Sequence, residues 1–147
     1  MLPSELEKLI SVRTMLETSA LQSGMRRDAI GLGQTLTAIA SAMRTATSRG
    51  GDRYRELDGK FHRSIVEHSD NRFLASCYDS IDFRVRALRN RLASRPWINA
   101  RTLIEHQTLA ELVSGGHVRK AKTLLSKHLR AATSDYDQLL RDHAKLQ

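Results

Sequence analysis

The sequence predicts an all-α fold, an antiparallel bundle of about six helices. Apolar residues recur at helical spacing along the whole chain, and no strand-like alternation stands out. Aromatic residues make up 5% of the chain and there are two prolines, a composition that disfavours a β-sandwich and suits helices. The predicted connections are short, which favours antiparallel packing of neighbouring helices. With 147 residues, the chain is expected to form one domain over residues 1–147.

The first two helices are expected on either side of Gly24. Helix one is predicted over residues 3–22, because Pro3 suits a first helical position and Gly24 suits the position after a helix end. Helix two is predicted over residues 28–46, with Ile30 on its apolar stripe. Two adjacent glycines then indicate a turn over residues 48–52.

Each of the four later helices has an apolar face or a recognisable end. Helix three is expected over residues 52–68, and Asp70 or Asn71 is the predicted N-cap of helix four, which continues to about residue 93. Arg95 and Pro96 end helix four. Helix five is expected over residues 99–113, and helix six from residue 118 into the C-terminal region.

Composition excludes several classes of protein. Cys77 is the only cysteine, which excludes an internal disulfide and a cysteine-based zinc cluster; we expect it in the core of a protein in a reducing cytoplasm. No apolar run is long enough to cross a bilayer and no signal peptide is visible, so no membrane partner is expected. The net charge of +8 is spread over the chain and favours anionic partners without specifying one.

Helix three carries two polar residues on or beside its apolar face. That face is set by the residues Tyr54, Leu57, Phe61 and Ile65. Asp58 and His62 are spaced i, i+4, so their side chains point the same way. A carboxylate and an imidazole that project together supply half of a metal site.

Two more histidines are expected on inward faces. His106 shares a stripe with Thr102 and Leu109 of helix five, and His128 shares one with Leu125 of helix six. A lone inward histidine is usually a satisfied core residue, and Asp58 and His62 could form a simple hydrogen-bonded pair. A buried carboxylate without a partner is costly, however, and a divalent metal would satisfy all four side chains at once. The other three histidines, His68, His117 and His143, are expected in solvent.

Arg13 is anomalous because it lies on the apolar stripe of helix one. It could form an ion pair with Glu17 one turn later, or its guanidinium could face a cavity and bind a carboxylate. An arginine and a metal that face one cavity suggest a small organic acid as the ligand.

The order of these motifs resembles the FadR-type effector-binding (FCD) domain of GntR-family transcription regulators. The resemblance spans roughly residues 6–132. Five stretches carry it, namely residues 12–17, the Asp-Gly-Lys-Phe-His segment 58–62, the Ser-Asp-Asn turn 69–71, Glu105-His106, and residues 121–129. One departure is His117 after Gly116, where the family usually has aspartate.

The resemblance implies a fold, a ligand set and a function. It implies a bundle with a central metal and ligand cavity, in which Asp58, His62, His106 and His128 bind the metal and Arg13 helps to bind a carboxylate effector. It implies a homodimeric, non-enzymatic regulator that contacts DNA only through a winged helix-turn-helix domain. We expect that DNA-binding domain to be absent from this chain.

The ligand types leave several metals and one alternative reaction class open. Three imidazoles and one carboxylate suit zinc first, with nickel, manganese or iron as alternatives. The same ligands could activate water in a metal-dependent enzyme that acts on a small organic acid, although no general base stands out beyond the ligands. A basic nucleic-acid-binding bundle and a purely structural bundle are the remaining alternatives.

Overall fold

The computed structural model describes residues 1–47, 51–93 and 95–146, and within these ranges the chain is built from five helices and no strand. The helices are α1 (Pro3–Ala46), α2 (Gly51–His68), α3 (Arg72–Leu92), α4 (Pro96–Ser114) and α5 (Val118–Ala144). The predicted all-α class is confirmed. Among the described residues, no helix combines the length and the apolar character needed to cross a membrane.

The two helices predicted before residue 47 are present, joined end to end as α1 with a kink at Asp28, the predicted first residue of helix two; the predicted end of helix one before Gly24 is wrong. Gly24 does not end a helix. A Cβ there would lie 3.3 Å from the Cβ and carbonyl oxygen of His68, so this glycine permits close packing of α2 against α1. Asp28 leaves the helical region (φ −159°, ψ 75°), and its Oδ1 accepts a hydrogen bond of 2.9 Å from the backbone N–H of Gly31. Ile30, just beyond this kink, is 69% exposed, so its predicted inward position is also wrong.

The other boundaries fall close to their predicted positions. Asn71 is the N-cap of α3, as one of the two predicted alternatives, and its Oδ1 accepts hydrogen bonds of 3.1 Å from the backbone N–H groups of Phe73 and Leu74. Helix α4 begins at Pro96, three residues before the prediction, because proline has no N–H to lose in a first turn. Of the predicted turn over residues 48–52, residues 48–50 lie outside the described residues, and α2 begins at Gly51.

Two apolar clusters form the core, and the buried polar residues of α1 lie between them along the helix. One cluster contains Leu6 and Ile10 of α1, and the other contains Ala20 and Leu21. The intervening turns of α1 carry the buried residues Arg13, Thr14 and Glu17. A layer of polar side chains is therefore enclosed by apolar packing at both ends.

Helix α3 covers this polar layer with a narrow apolar stripe. Its buried residues are Tyr78, Val85, Leu88 and Leu92. Cys77 lies beside the stripe and is exposed, so its predicted place in the core is wrong. The spacing of the stripe, and not the apolar character of the thiol, determines which side faces inward.

Candidate functional site

Three histidine side chains from three helices converge in the polar layer. His62 of α2, His106 of α4 and His128 of α5 place one ligand atom each within 4.8 Å of one another. The Nε2 atom of His62 lies 3.3 Å from Nε2 of His106 and 3.3 Å from Nε2 of His128. All three side chains are at least nine-tenths buried. The structure thus brings together three histidines that are far apart in the sequence.

Asp58 completes the group on the side of α2 and α3. Its Oδ1 lies 3.3 Å from Nε2 of His106 and 3.6 Å from Nε2 of His62. Its Oδ2 accepts a short hydrogen bond from Nε of Arg89. Burial by itself raises the pKa of the Asp58 carboxyl, but the charge of Arg89 and the hydrogen bond with His62 outweigh it and hold the pKa well below 3.8. Asp58 is therefore an ionised carboxylate at the edge of the histidine cluster.

Two further carboxylates contact the Nδ1 atoms of two of the imidazole rings and orient these rings. Oε1 of Glu17 lies 2.5 Å from Nδ1 of His62, and Oε2 of Glu105 lies 2.5 Å from Nδ1 of His128. In neutral rings each Nδ1–H donates to its carboxylate, which leaves a lone pair on each Nε2 that points into the cluster. The sequence analysis assigned Glu17 only to Arg13, and no signal assigned Glu105 to His128.

His106 differs from the other two rings. Its Nδ1 is buried and has no hydrogen-bond partner among residues 1–47, 51–93 and 95–146. The ring packs against Phe61, with 4.3 Å between the ring centroids. Burial, with the charge of a protonated His128 in second place, holds the pKa of His106 well below 6.5. His106 is thus a neutral ring held by apolar packing.

The pKa values of the other two rings shift in opposite directions. Burial opposes protonation of His62, but the charge of Glu17 and hydrogen bonds to Asp58 and Glu17 raise its pKa above 6.5. Burial lowers the pKa of His128 below 6.5 and outweighs the hydrogen bond that its Nδ1–H donates to Glu105, which raises the pKa. His62 is the ring with the strongest preference for a positive charge, supplied by a proton or by a metal.

Arg13 lies beside the cluster and pairs with Glu17. Its Nε donates a hydrogen bond of 2.6 Å to Oε2 of Glu17, and both side chains are buried. Arg13 also lines the cavity next to the histidines. Burial by itself would raise the pKa of Glu17, but Arg13 and His62 lower it to about 2. The ion pair and the cavity position, which the sequence analysis treated as alternatives, occur together.

A cavity of about 60 Å³ adjoins the cluster. Asp58, His62 and His128 reach its wall, as do three arginines, Arg13, Arg89 and Arg101. Arg89 is the arginine of the predicted helix four that reaches the cavity, which the sequence alone could not identify. Leu88, Leu92, Ile98 and Leu129 line its apolar part. The cavity is small, partly apolar and rich in guanidinium groups.

Arg101 connects α4 and α5 at the cavity wall through hydrogen bonds to two carboxylates. It donates two hydrogen bonds to Asp135, of 2.9 and 2.5 Å, and one of 3.0 Å to Glu105. Glu105 in turn contacts His128, so this network joins α4 to α5 directly behind one histidine of the cluster. Sequence reasoning did not identify Asp135.

The remaining histidines lie outside the site. His117 and His143 are exposed, and His68 is half-buried at the end of α2 with its Nδ1 2.9 Å from the carbonyl oxygen of Ser64. The expected solvent position is confirmed for His117 and His143, whereas His68 is half-buried because α2 packs against α1 at Gly24.

The donor set fits a divalent metal. In a tetrahedral zinc site with bonds of about 2.0–2.1 Å, two ligand atoms lie about 3.3–3.4 Å apart. Four of the six separations among these donor atoms are 3.3–3.6 Å, and among the described residues the group with ligand atoms all within 4.8 Å of one another consists of the three histidines, with Asp58 at its edge. The two carboxylate–histidine contacts are the outer-shell arrangement that metal-binding histidines usually show.

The chain is thus a helical bundle that encloses a buried histidine cluster beside an arginine-lined cavity. The FCD domain family model matches residues 8–131, and the chain belongs to the FCD domain family. A solved structure described as the metal-free FCD domain of TM0439, a proposed transcriptional regulator, is similar in fold, with a TM-score of 0.81 and 22% sequence identity. The match covers 97% of this chain and 98% of that one. Among curated proteins, none matches this chain.

Proposed function

We propose that residues 1–147 form the effector-binding domain of a GntR/FadR-type bacterial transcription regulator, which binds a divalent metal and a small carboxylate and thereby modulates DNA binding. The observation that carries this proposal is the convergence of three buried histidines, whose ligand atoms lie within 4.8 Å of one another, with Oδ1 of Asp58 3.3 Å from His106 and 3.6 Å from His62. Membership of the FCD family and the fold shared with a proposed regulator support it.

The electrostatics of the cluster favour a bound cation. With Nδ1–H of His62 and His128 directed at carboxylates, the lone pairs on their Nε2 atoms face each other next to the charge of Asp58. A divalent cation turns that repulsion into attraction. Asp58, His62, His106 and His128 would hold the metal, with zinc as the first candidate and nickel, manganese or iron as alternatives.

The cavity next to the proposed metal-binding residues suits a carboxylate effector. A bound metal acts there as a Lewis acid that attracts an anionic oxygen. Arg13 adds a guanidinium to the cavity wall, and the apolar residues Leu88 and Ile98 suit a short carbon chain. Glu17 and Glu105 are both engaged with histidine and arginine, and we propose a binding role with no catalytic step.

Regulation would work through the helices that meet at the cavity. The residues that line the cavity belong to α1, α2, α3, α4 and α5, so a bound effector would favour one arrangement of these helices. In a homodimeric regulator that shift would alter the spacing of winged helix-turn-helix domains on DNA in the cytoplasm.

Metal analysis tests the proposal directly. Protein purified without a tag or chelator, then reloaded with zinc and dialysed, is expected to hold about one metal per chain. The double variant Asp58→Ala/His128→Ala is expected to hold none, and His117→Ala/His143→Ala, which removes two exposed histidines, serves as the control. A folded wild-type protein that takes up no metal would make the four residues a polar core network and remove the proposed mechanism.

A further inference from the structure

We infer that Arg89 is a specificity-determining residue that binds one oxygen of an anionic ligand in the cavity, an assignment that rests on the proposed carboxylate site. Its side chain is 9% exposed and lines the cavity wall. Its Nε is taken up by Asp58, whereas its buried Nη2 has no hydrogen-bond partner among the described parts of the chain. A buried guanidinium nitrogen without an acceptor is unfavourable unless a ligand supplies one.

Among the described residues, neither of the other two cavity arginines has a terminal nitrogen that is both fully buried and without an acceptor. Arg101 directs Nε and both terminal nitrogens at Glu105 and Asp135. Arg13 directs Nε at the fully buried Glu17. Arg89 is thus the cavity arginine with a buried donor left for a ligand, in the part of the protein that the structure describes.

The backbone of α2 leaves room for this guanidinium. A Cβ on Gly59 would lie 3.0 Å from Nη1 of Arg89, so any side chain at position 59 would press on the group. Asp58, the preceding residue, holds Nε of the same arginine. Asp58 therefore holds the guanidinium through Nε, and the absent side chain of Gly59 leaves the space beside Nη1.

The cavity limits the size of the ligand group that Arg89 contacts. About 60 Å³ is room for about four water molecules, since one water needs about 10–15 Å³. That is close to the size of acetate. The ligand class is therefore a small carboxylate, with one oxygen on Nη2 of Arg89 and the anionic charge next to the cluster of Asp58, His62 and His128.

Calorimetric titration of zinc-loaded protein with acetate tests this inference. Arg89→Lys keeps the positive charge beside Asp58 but lacks the second donor, so we expect acetate to bind about 10- to 100-fold more weakly with an unchanged zinc content. Arg86→Lys on the same helix is the matched control, because Arg86 is exposed and pairs with Asp82. Acetate affinity of Arg89→Lys equal to that of wild type would overturn the inference and leave a water molecule as the partner of Nη2.

Two additional measurements separate this inference from the proposed function. Gly59→Ala keeps Arg89 and displaces only its guanidinium, so weaker acetate binding with normal zinc content supports the inference even if Arg89→Lys is poorly folded. Acetamide, an uncharged analogue, should not bind, and equal affinity for both compounds would overturn the anionic class. Zinc-loaded wild type that binds no acetate overturns the role of Arg89 and leaves the metal site standing, whereas failure to bind zinc counts against the proposed function itself.

Discussion

Replacement of Glu17 by glutamine removes one charge from the polar layer without changing the size of the side chain. Glu17 is 0% exposed and makes two charged contacts, 2.6 Å to Nε of Arg13 and 2.5 Å to Nδ1 of His62. Arg13 remains charged in the variant because the pKa of a guanidinium lies far above neutral pH. Glu17→Gln thus leaves a buried cation without its counter-ion.

Two independent estimates give a similar cost. The pKa of Glu17 is lowered from its ordinary 4.5 to about 2, and each unit corresponds to about 1.4 kcal/mol, which gives a contribution of about 3 kcal/mol. Removal of one partner from a buried ion pair costs about 3–5 kcal/mol in other proteins. For a chain of this length, 3 kcal/mol corresponds to a decrease in Tm of about 6–12 °C.

The pH dependence of this contribution has a defined sign. The pKa of Glu17 is lower in the folded than in the unfolded protein, so its stabilisation is fully present above pH 4.5 and is lost as the pH falls through about 2. The difference in unfolding free energy between wild type and Glu17→Gln should therefore be largest near neutral pH and shrink below pH 4.5.

Urea denaturation of metal-free protein at several pH values measures this difference. Glu56→Gln is the control, since Glu56 pairs with Arg53 at 3.1 Å but both side chains are mostly exposed, and such pairs contribute less than about 1 kcal/mol. A Glu17→Gln variant as stable as Glu56→Gln at pH 7 would show that the buried carboxylate is not the main counter-ion of Arg13.

Two further predictions concern the outer shell and the core. Glu105→Gln should weaken zinc binding about 10- to 100-fold, because Oε2 of Glu105 orients His128. The control Glu111→Gln, on the exposed side of the same helix, should leave the zinc affinity unchanged. Competition with a chromophoric chelator measures both affinities, and equal values would contradict an orienting role for Glu105. Phe61→Ala should lower the unfolding free energy by about 3–5 kcal/mol, because Phe61 is fully buried and packs against His106. Phe73 is mostly exposed, so Phe73→Ala should change the unfolding free energy by less than about 0.5 kcal/mol. Similar urea midpoints for the two variants would exclude a packing role for Phe61.

Helix boundaries show how far local sequence signals reach. Asn71, one of the two predicted caps, and the helix end before Arg95 and Pro96 are confirmed, because a cap or a proline acts on the backbone within one turn. The predicted helix end at Gly24 is wrong, because the lack of a side chain at this position allows α2 to pack closely against α1. A single sequence does not distinguish these two uses of glycine.

The sequence by itself determined the all-α class and the side-by-side placement of Asp58 and His62, because helical periodicity and i, i+4 spacing are local properties. Tertiary structure alone decided which carboxylate orients which ring and which arginine holds Asp58. Glu17 and His62 are 45 residues apart, and Arg89 and Asp58 are 31 apart. Such contacts depend on the rotation and depth at which whole helices pack, which are set by the complete set of apolar faces and not by any one segment.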